Sequence, residues 1–206
     1  MVEKNIPDIV ISRLPIYLQT LHQIEKQGET IISSRELGEL FGITAAQVRK
    51  DLSFFGEFGK QGSGYNIDFL KSQIRAILNI DRTWDVALIG AGDLGNAIAR
   101  YPGFLERGFS IEYVFDSDLT KIGKLVGGHI VMPSDTMVET IRAAEIQIAM
   151  ITVPSRAAQQ VADDLVRAGV RAILNYAPVP LNVPENIRVE TVNPIIQLEH
   201  MTYYIK

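Results

Sequence analysis

The stretch that most limits what this chain can fold into is Trp84-Asp85-Val86-Ala87-Leu88-Ile89, which runs without interruption into Gly90-Ala91-Gly92-Asp93-Leu94-Gly95 and then into a helical pattern from Asn96 to Arg100. A continuous apolar run of this length reads as a parallel strand buried on both faces. A second apolar run, Ile111-Glu112-Tyr113-Val114-Phe115, ends in Asp116, 21 residues after the last glycine. That is close to where a ribose-binding carboxylate belongs after a dinucleotide-binding glycine turn. Gly90 would permit the tight turn, Gly92 would let the backbone approach a pyrophosphate, and Gly95 would allow the helix to pack closely on the strand. The helix N-terminus adds free amides and a positive dipole. Asp116 would accept the adenosine ribose hydroxyls and repel a 2′-phosphate, which favours NAD over NADP. A purely structural strand–helix turn is the alternative.

Further strand–helix units follow. Residues 146–153 read as a strand that delivers Thr152, Val153 and Pro154 to the ligand rim of a sheet. Residues 157–168 read as a helix and 172–175 as another strand, which brings Asn175, Tyr176 and Pro178 to the same rim. A last helix has Asn193 as N-cap and Pro194 as its first residue. Its apolar residues, Ile195, Ile196, Leu198, Met201, Tyr203, Tyr204 and Ile205, do not keep to one stripe. A helix of that kind expects burial on more than one side.

Before about Asp81 the pattern is different, with apolar residues at helical rather than strand spacing. One helix runs from Pro15 to Lys26 with Leu14, Tyr17, Leu18, Leu21 and Ile24 on one face, and residues 8–12 offer an earlier turn. Ser33 with Glu36, and Thr44 with Gln47, are two capping boxes that open two short helices. Leu37, Leu40 and Phe41 face inward from the first of these; Val48, Leu52 and Phe55 do so from the second. Two short helices about a tight glycine turn form a helix-turn-helix. Residues 57–66, with three glycines among aromatics, read as a hairpin wing. Asp68 then caps a fourth helix. On the third helix Gln47, Arg49, Lys50 and Ser53 remain outside once the apolar residues turn in. Gln and Arg pair bidentately with base edges, and Lys suits phosphate or guanine. Lys60 and Tyr65 could reach adjacent backbone from the wing. Winged helices also bind proteins, so the spacing leaves both partners open.

Composition narrows the chemistry. The 206 residues include no cysteine, which removes disulfides, thiol catalysis and thiolate metal sites. His22, His129 and His200 are scattered, with no carboxylate cluster to complete a metal site. The net charge of −4 lies in the second half: residues 1–83 carry ten cationic and ten anionic side chains, the rest ten and fourteen. A neutral module still binds DNA where its cations share a face, because phosphate contacts are local. No run approaches the ~20 apolar residues of a membrane span, and the N-terminus shows no signal pattern, so a cytoplasmic location is expected.

Taken together, Ile11-Ser12-Arg13-Leu14, residues 44–53 from Thr44 to Ser53, Gly62-Ser63-Gly64-Tyr65, the glycine turn, Tyr101-Pro102-Gly103-Phe104, Thr152-Val153-Pro154 and residues 173–178 resemble the redox-sensing transcriptional repressors called Rex. The resemblance spans nearly the whole chain. It implies an α/β protein: a winged helix-turn-helix DNA-binding domain over 1–83, a Rossmann-type parallel-sheet domain binding NADH and NAD+ over 84–192, and a C-terminal helix over 193–206 swapped between protomers. It implies a homodimer on a palindromic operator, released when NADH binds, controlling genes of respiration or fermentative NAD+ regeneration. The cofactor set would be Gly90, Ala91, Gly92, Asp93, Leu94, Gly95, Asp116, Thr152, Val153, Pro154, Asn175, Tyr176 and Pro178. The DNA set would be Arg13, Ser33, Gln47, Arg49, Lys50, Ser53, Lys60, Gly64 and Tyr65.

Members of that family commonly pair the Tyr at the position of Tyr101 with an Arg and an Asp. Here the matching positions hold Gln19 and Asn193. Loss of one charge alone would leave the other buried and unpaired, so replacing both is physically coherent. Tyr101, Gln19 and Asn193 then form a neutral switch; the alternative makes Asn193 a cap only and Gln19 a surface residue. Two other functions compete. A dehydrogenase needs a proton donor near the nicotinamide, and none of the histidines is joined to a substrate-binding set. A CoA module would meet a ribose whose 3′-phosphate removes the diol that Asp116 suits. Because NADH lacks the positive nicotinamide charge, the pocket near Val153 and Pro154 is expected to be apolar.

Overall fold

The computed structural model describes residues 6–59 and 64–205, which divide into two compact units, one reaching Arg82 and one starting at Thr83. In the first unit, helix α1 (Asp8–Glu25) is followed by strand β1 (Ile31–Ile32), α2 (Ser34–Phe41), α3 (Ala45–Ser53), β2 (Tyr65–Asn66) and α4 (Ile67–Ile77). The inward residues of all four helices meet in one core that includes Leu14, Tyr17, Leu37, Val48, Leu52, Leu70 and Ile74. Ser33 and Glu36 close the expected capping box, and Gly42 ends α2 in the left-handed conformation at φ 66°.

Several local expectations are corrected. Pro15 does not open α1 but lies inside it. The lost amide bond there is tolerated because Val10, Leu14, Tyr17 and Leu18 anchor the helix on both sides of the proline. Leu40 is exposed rather than inward. Thr44 caps α3, but the side chain of Gln47 turns to Asp51 instead of closing a second box. Asn66, not Asp68, caps α4 by accepting from the Phe69 amide. In the wing region β2 pairs antiparallel with β1, ahead of the helix pair, and residues 57–59 form no strand.

The second unit is a seven-stranded sheet with β3 (Trp84–Ile89) at its centre. To one side lie β4 (Phe109–Asp116), β6 (His129–Pro133) and β5 (Leu125–Val126); to the other β7 (Ile148–Ile151), β8 (Ala172–Asn175) and β9 (Arg188–Thr191). Every pairing is parallel except that of β5 with β6. Side chains alternate across β3: Val86 and Leu88 pack with Ile98 of α5 (Asp93–Arg100), while Ala87 and Ile89 pack with α6 (Met137–Ala143) and α7 (Ser155–Ala168). On α7 the buried positions are Ala158, Ala162, Leu165 and Ala168, small enough for close approach to the sheet. Helices on both faces of a parallel sheet make this a doubly wound α/β unit. The expected strand over 146–153 is shorter at both ends. Strands β5, β6 and β9 and helix α6 carry no distinctive sequence pattern and were not anticipated.

The chain ends in α8 (Pro194–Thr202), capped by Asn193, whose side-chain oxygen accepts from the Ile195 amide at 3.2 Å. None of its residues is buried, and Ile195, Ile196, Leu198 and Met201 are all more than half exposed. Replacing the fully buried Leu37 by Ala is expected to destabilise the first unit by about 2–5 kcal/mol. Urea unfolding followed by far-UV circular dichroism measures this.

Candidate functional site

The order of the sheet reverses direction beside β3, because β4 follows on one flank and β7 on the other. Ligands of doubly wound sheets bind outside the strand carboxyl ends at such a point. There the turn after β3 is stitched to both neighbours: the Gly90 amide donates to the Phe115 carbonyl at 2.8 Å, and the Thr152 amide to the Ile89 carbonyl at 2.8 Å. The Thr152 hydroxyl lies 2.8 Å from the Gly90 carbonyl. Gly90 has φ +106°, and a Cβ there would come within 2.8 Å of the Thr152 carbonyl oxygen. A Cβ on Gly95 would collide with the Gly90 carbonyl oxygen. At Gly92 a Cβ would meet nothing within 4 Å, so the backbone there faces open space. These are the separate demands expected of the three glycines: a strained turn, room for a ligand, and close helix packing.

Asp116 closes the turn from β4. Its carboxylate accepts from the amides of Ala91 at 2.7 Å and Asp118 at 2.8 Å and from Lys121 Nζ at 3.0 Å. Burial pushes its carboxyl up, but the Asp118 amide, Lys121 and the Ala91 amide together hold it below the usual carboxylate value. It is therefore an anion at neutral pH; Oδ2 is saturated by the Ala91 amide and Lys121, and Oδ1, which accepts only from the Asp118 amide, keeps a lone pair for a ribose hydroxyl.

A cleft of about 780 Å³ opens beside these residues. Gly90, Gly92, Asp93, Leu94, Asp116, Thr152, Val153 and Pro154 all line it. Ala91 is buried behind it and its amide is committed to Asp116. Asn175, Tyr176 and Pro178 do not line it. Asn175 is fully buried, donating to the Val179 carbonyl at 2.9 Å and accepting from the Ala177 amide at 3.0 Å, so it shapes the loop after β8. Sequence reading missed Ser117, Asp118 and Lys121 after β4, and Ser134, Asp135 and Met137 after β6. The switch-point rule could have found the first group; the second needed β6 to be recognised. The expected apolar lining is present in Leu94, Met137, Val153, Pro154, Ala157 and Val161. Asp93, Asp118, Asp135 and Asp164 line the same cleft, so the expectation of an apolar pocket is met only in part.

In the first unit, Ser33, Arg49, Ser53, Gly64 and Tyr65 line one open groove of about 800 Å³ between α2, α3 and the segment leading to β2. The Arg49 guanidinium donates to Ser34 Oγ at 2.9 Å, which holds it along that groove. Burial raises the Tyr65 phenol. Lys50 is exposed. Lys60 lies outside the described residues. Arg13 and Gln47 are placed differently: both bond to Asp51, a buried carboxylate that no sequence pattern singled out.

The three proposed switch residues are divided between the units. Gln19 is exposed on α1. Tyr101 is 62% exposed and stands edge-on to Phe104 at 5.6 Å. Asn193 is the α8 cap. Among the described residues no group of three or more His, Asp or Glu side chains is placed to hold a metal, and no helix is long and apolar enough to cross a membrane.

Each unit matches a known family model. Residues 5–53 match the family model "Putative DNA-binding protein N-terminus", and residues 81–179 match "CoA binding domain". The chain is 50% identical over 199 residues to the redox-sensing transcriptional repressor Rex of Roseiflexus sp. (strain RS-1), covering 97% of this chain and 90% of that protein. It is 46% identical to the Rex of Carboxydothermus hydrogenoformans, covering 98% and 97% of the two chains. Among solved structures it is similar to RSP in complex with β-NAD+ and operator DNA, with TM-score 0.92, 39% identity, and coverage of 98% of this chain and 94% of that one. The RSP complex with β-NADH gives TM-score 0.89 and 36% identity, with coverage of 98% and 95%.

Because the Gly95 Cβ has no space, Gly95→Ala is expected to push α5 off the turn and weaken NADH binding at least about tenfold, roughly 1.4 kcal/mol. Isothermal titration with NADH measures this, and an unchanged affinity would show that the turn does not shape the site.

Proposed function

This chain belongs to the Rex family of redox-sensing transcriptional repressors, and from that premise we propose that it binds NADH and NAD+ in the cleft between Gly90 and Asp116 and a palindromic operator across the groove of its first unit. One observation carries the reading. A single chain joins an anionic, amide-held ribose acceptor beside a strained glycine turn to a helix-turn-helix unit with a polar groove. RSP, similar over nearly the full length, is described with β-NAD+ together with operator DNA and separately with β-NADH.

The chain acts as a repressor, not an enzyme; its relatives are named as transcriptional repressors. NADH releases the operator and NAD+ permits its binding. Only a difference in NADH affinity between the DNA-competent and released states can move that equilibrium. Within the cleft the residues have separate tasks. Asp116 fixes the adenosine end through the lone pair left on Oδ1, Gly92 leaves the pyrophosphate room against the first turn of α5, and Val153 and Pro154 supply the apolar wall for the uncharged reduced ring. The bound nicotinamide itself contributes only its redox-dependent charge. Release at high NADH suits control of respiratory genes or of fermentative NAD+ regeneration. The protein works where the chromosome is, in the cytoplasm.

The protein is a homodimer. Exposed Ile195, Ile196, Leu198 and Met201 on α8 need a cover, and exchange of this helix with a second copy supplies one. Tyr101, Gln19 and Asn193 serve as the neutral counterpart of the family's charged switch and transmit the state of the cleft. The match to a CoA-binding family model favours a second ligand, but the Asp116 carboxylate would face the 3′-phosphate of CoA.

In fluorescence anisotropy on a palindromic duplex that the protein selects from a randomised pool, NADH is expected to release the DNA at concentrations where NAD+ does not. A thermal shift with NADH and none with CoA is expected alongside. If both nucleotides leave the complex intact, the reading fails. Tyr101→Phe should raise the NADH concentration needed for release by at least about fivefold, an effect of roughly 1 kcal/mol within the usual range of allosteric coupling. An unchanged NADH response in that variant would remove Tyr101 from the switch.

A further inference from the structure

Asp51 sits between Lys50 and Leu52 on α3, next to the exposed Arg49 and Lys50, yet it is fully buried. Both its oxygens are saturated. Oδ2 accepts from Arg13 Nε at 2.6 Å and from the Tyr17 hydroxyl at 2.7 Å. Oδ1 accepts from the second Arg13 nitrogen at 2.7 Å and from Gln47 Nε2 at 2.7 Å. Arg13 and Tyr17 belong to α1, whereas Gln47 lies one turn before Asp51 on α3. The acid therefore keys α3 to α1 and at the same time holds a side chain of the candidate recognition face.

What it does to Gln47 follows from donor and acceptor chemistry. An ionised carboxylate only accepts, so the Gln47 amide must turn its NH2 toward Asp51. An amide with free rotation could present its two ends in either order; this one cannot. Its carbonyl oxygen and second amide hydrogen remain for another partner. Adenine offers the matching pair in the major groove, an N7 acceptor beside an N6 amine donor.

We propose that Asp51 is a positioning residue for operator reading: by fixing the amide orientation of Gln47 and the seat of α3 on α1, it makes the base pair beneath Gln47 specificity-determining, with an adenine edge required. This rests on the reading that α3 enters the major groove. Arg13 and Tyr17 then act through Asp51 rather than on the DNA.

The test is a set of binding curves on the duplex selected by the wild-type protein and on its single-base-pair variants, at one salt concentration. The proteins are the full-length wild type, Gln47→Ala, Asp51→Asn and the double variant. For the wild type, one A·T pair in each half-site should be preferred over its replacements by roughly tenfold to a hundredfold. Gln47→Ala should lose that preference. Asp51→Asn should lose the same preference at the same pair while other positions stay discriminated, and it should add nothing in the Gln47→Ala background. Where Asp51→Asn alone does not fold, Arg13→Gln/Asp51→Asn removes the buried acid and its partly exposed cationic partner together and takes its place. The inference is overturned if the Asp51 variants keep the full preference, or if they weaken every duplex equally with the pattern of preferences unchanged. If the wild-type protein selects no duplex at all, the DNA-binding reading fails instead.

Discussion

The dinucleotide unit depends on one crowded junction, where the chain leaves β3 at Gly90, turns, and re-enters as α5 at Asp93. The backbone of that turn lies so close to Thr152 and to the start of α5 that neither Gly90 nor Gly95 has space for a side chain. The same junction takes its electrostatics from Asp116, whose carboxylate holds the Ala91 amide at 2.7 Å. Strand order, helix placement and cleft all follow from it. The sheet reverses beside β3, the helix N-terminus opens onto the gap, and the carboxyl ends of β4 and β7 deliver Asp116 and Thr152 to opposite walls. A ligand with a diol at one end and a diphosphate in the middle matches what that geometry leaves unsatisfied.

The DNA-binding unit is held by a different kind of interaction. Its core is apolar, but α1 and α3 are also locked through a buried acid with four donors around it. Burial alone would favour a neutral Asp51; the bonds from Arg13, Tyr17 and Gln47 outweigh it and keep the group charged. Such a pair adds little net stability over an apolar substitute, while removing one partner is severe. Its value lies in fixing one arrangement of two helices and one orientation of Gln47.

What could be read from the sequence divides along the range of the interactions. The glycine turn, Asp116, the Ser33–Glu36 box and the Asn193–Pro194 start of α8 are local patterns, and the structure contains each of them. The role of Asp51 was illegible because its partner Arg13 lies 38 residues away and because its neighbours Arg49 and Lys50 are exposed. Pro15 misled for the same reason: tertiary packing on both sides of it outweighs a local helix signal. Leu40 fits the inward stripe of α2 by spacing, yet it is exposed. Strand β6 has only three apolar residues between His129 and Pro133 and does not announce itself, and with it went the Ser134–Met137 wall of the cleft. The apolar girth of α8 was plain from its composition; what covers it is not encoded in the helix itself.

The two units serve one function only if binding at the cleft and binding at the groove are energetically linked. Linkage is reciprocal: if NADH weakens the operator complex by some factor, the operator must weaken NADH binding by the same factor. The direct measurement is the NADH dissociation constant of the full-length protein, by isothermal titration, with and without a saturating concentration of its selected duplex. The account predicts that the duplex weakens NADH binding by the factor with which NADH weakens the duplex, about five- to 150-fold for ordinary allosteric coupling. An NADH affinity that is the same with and without DNA would mean that the two units are joined but do not communicate.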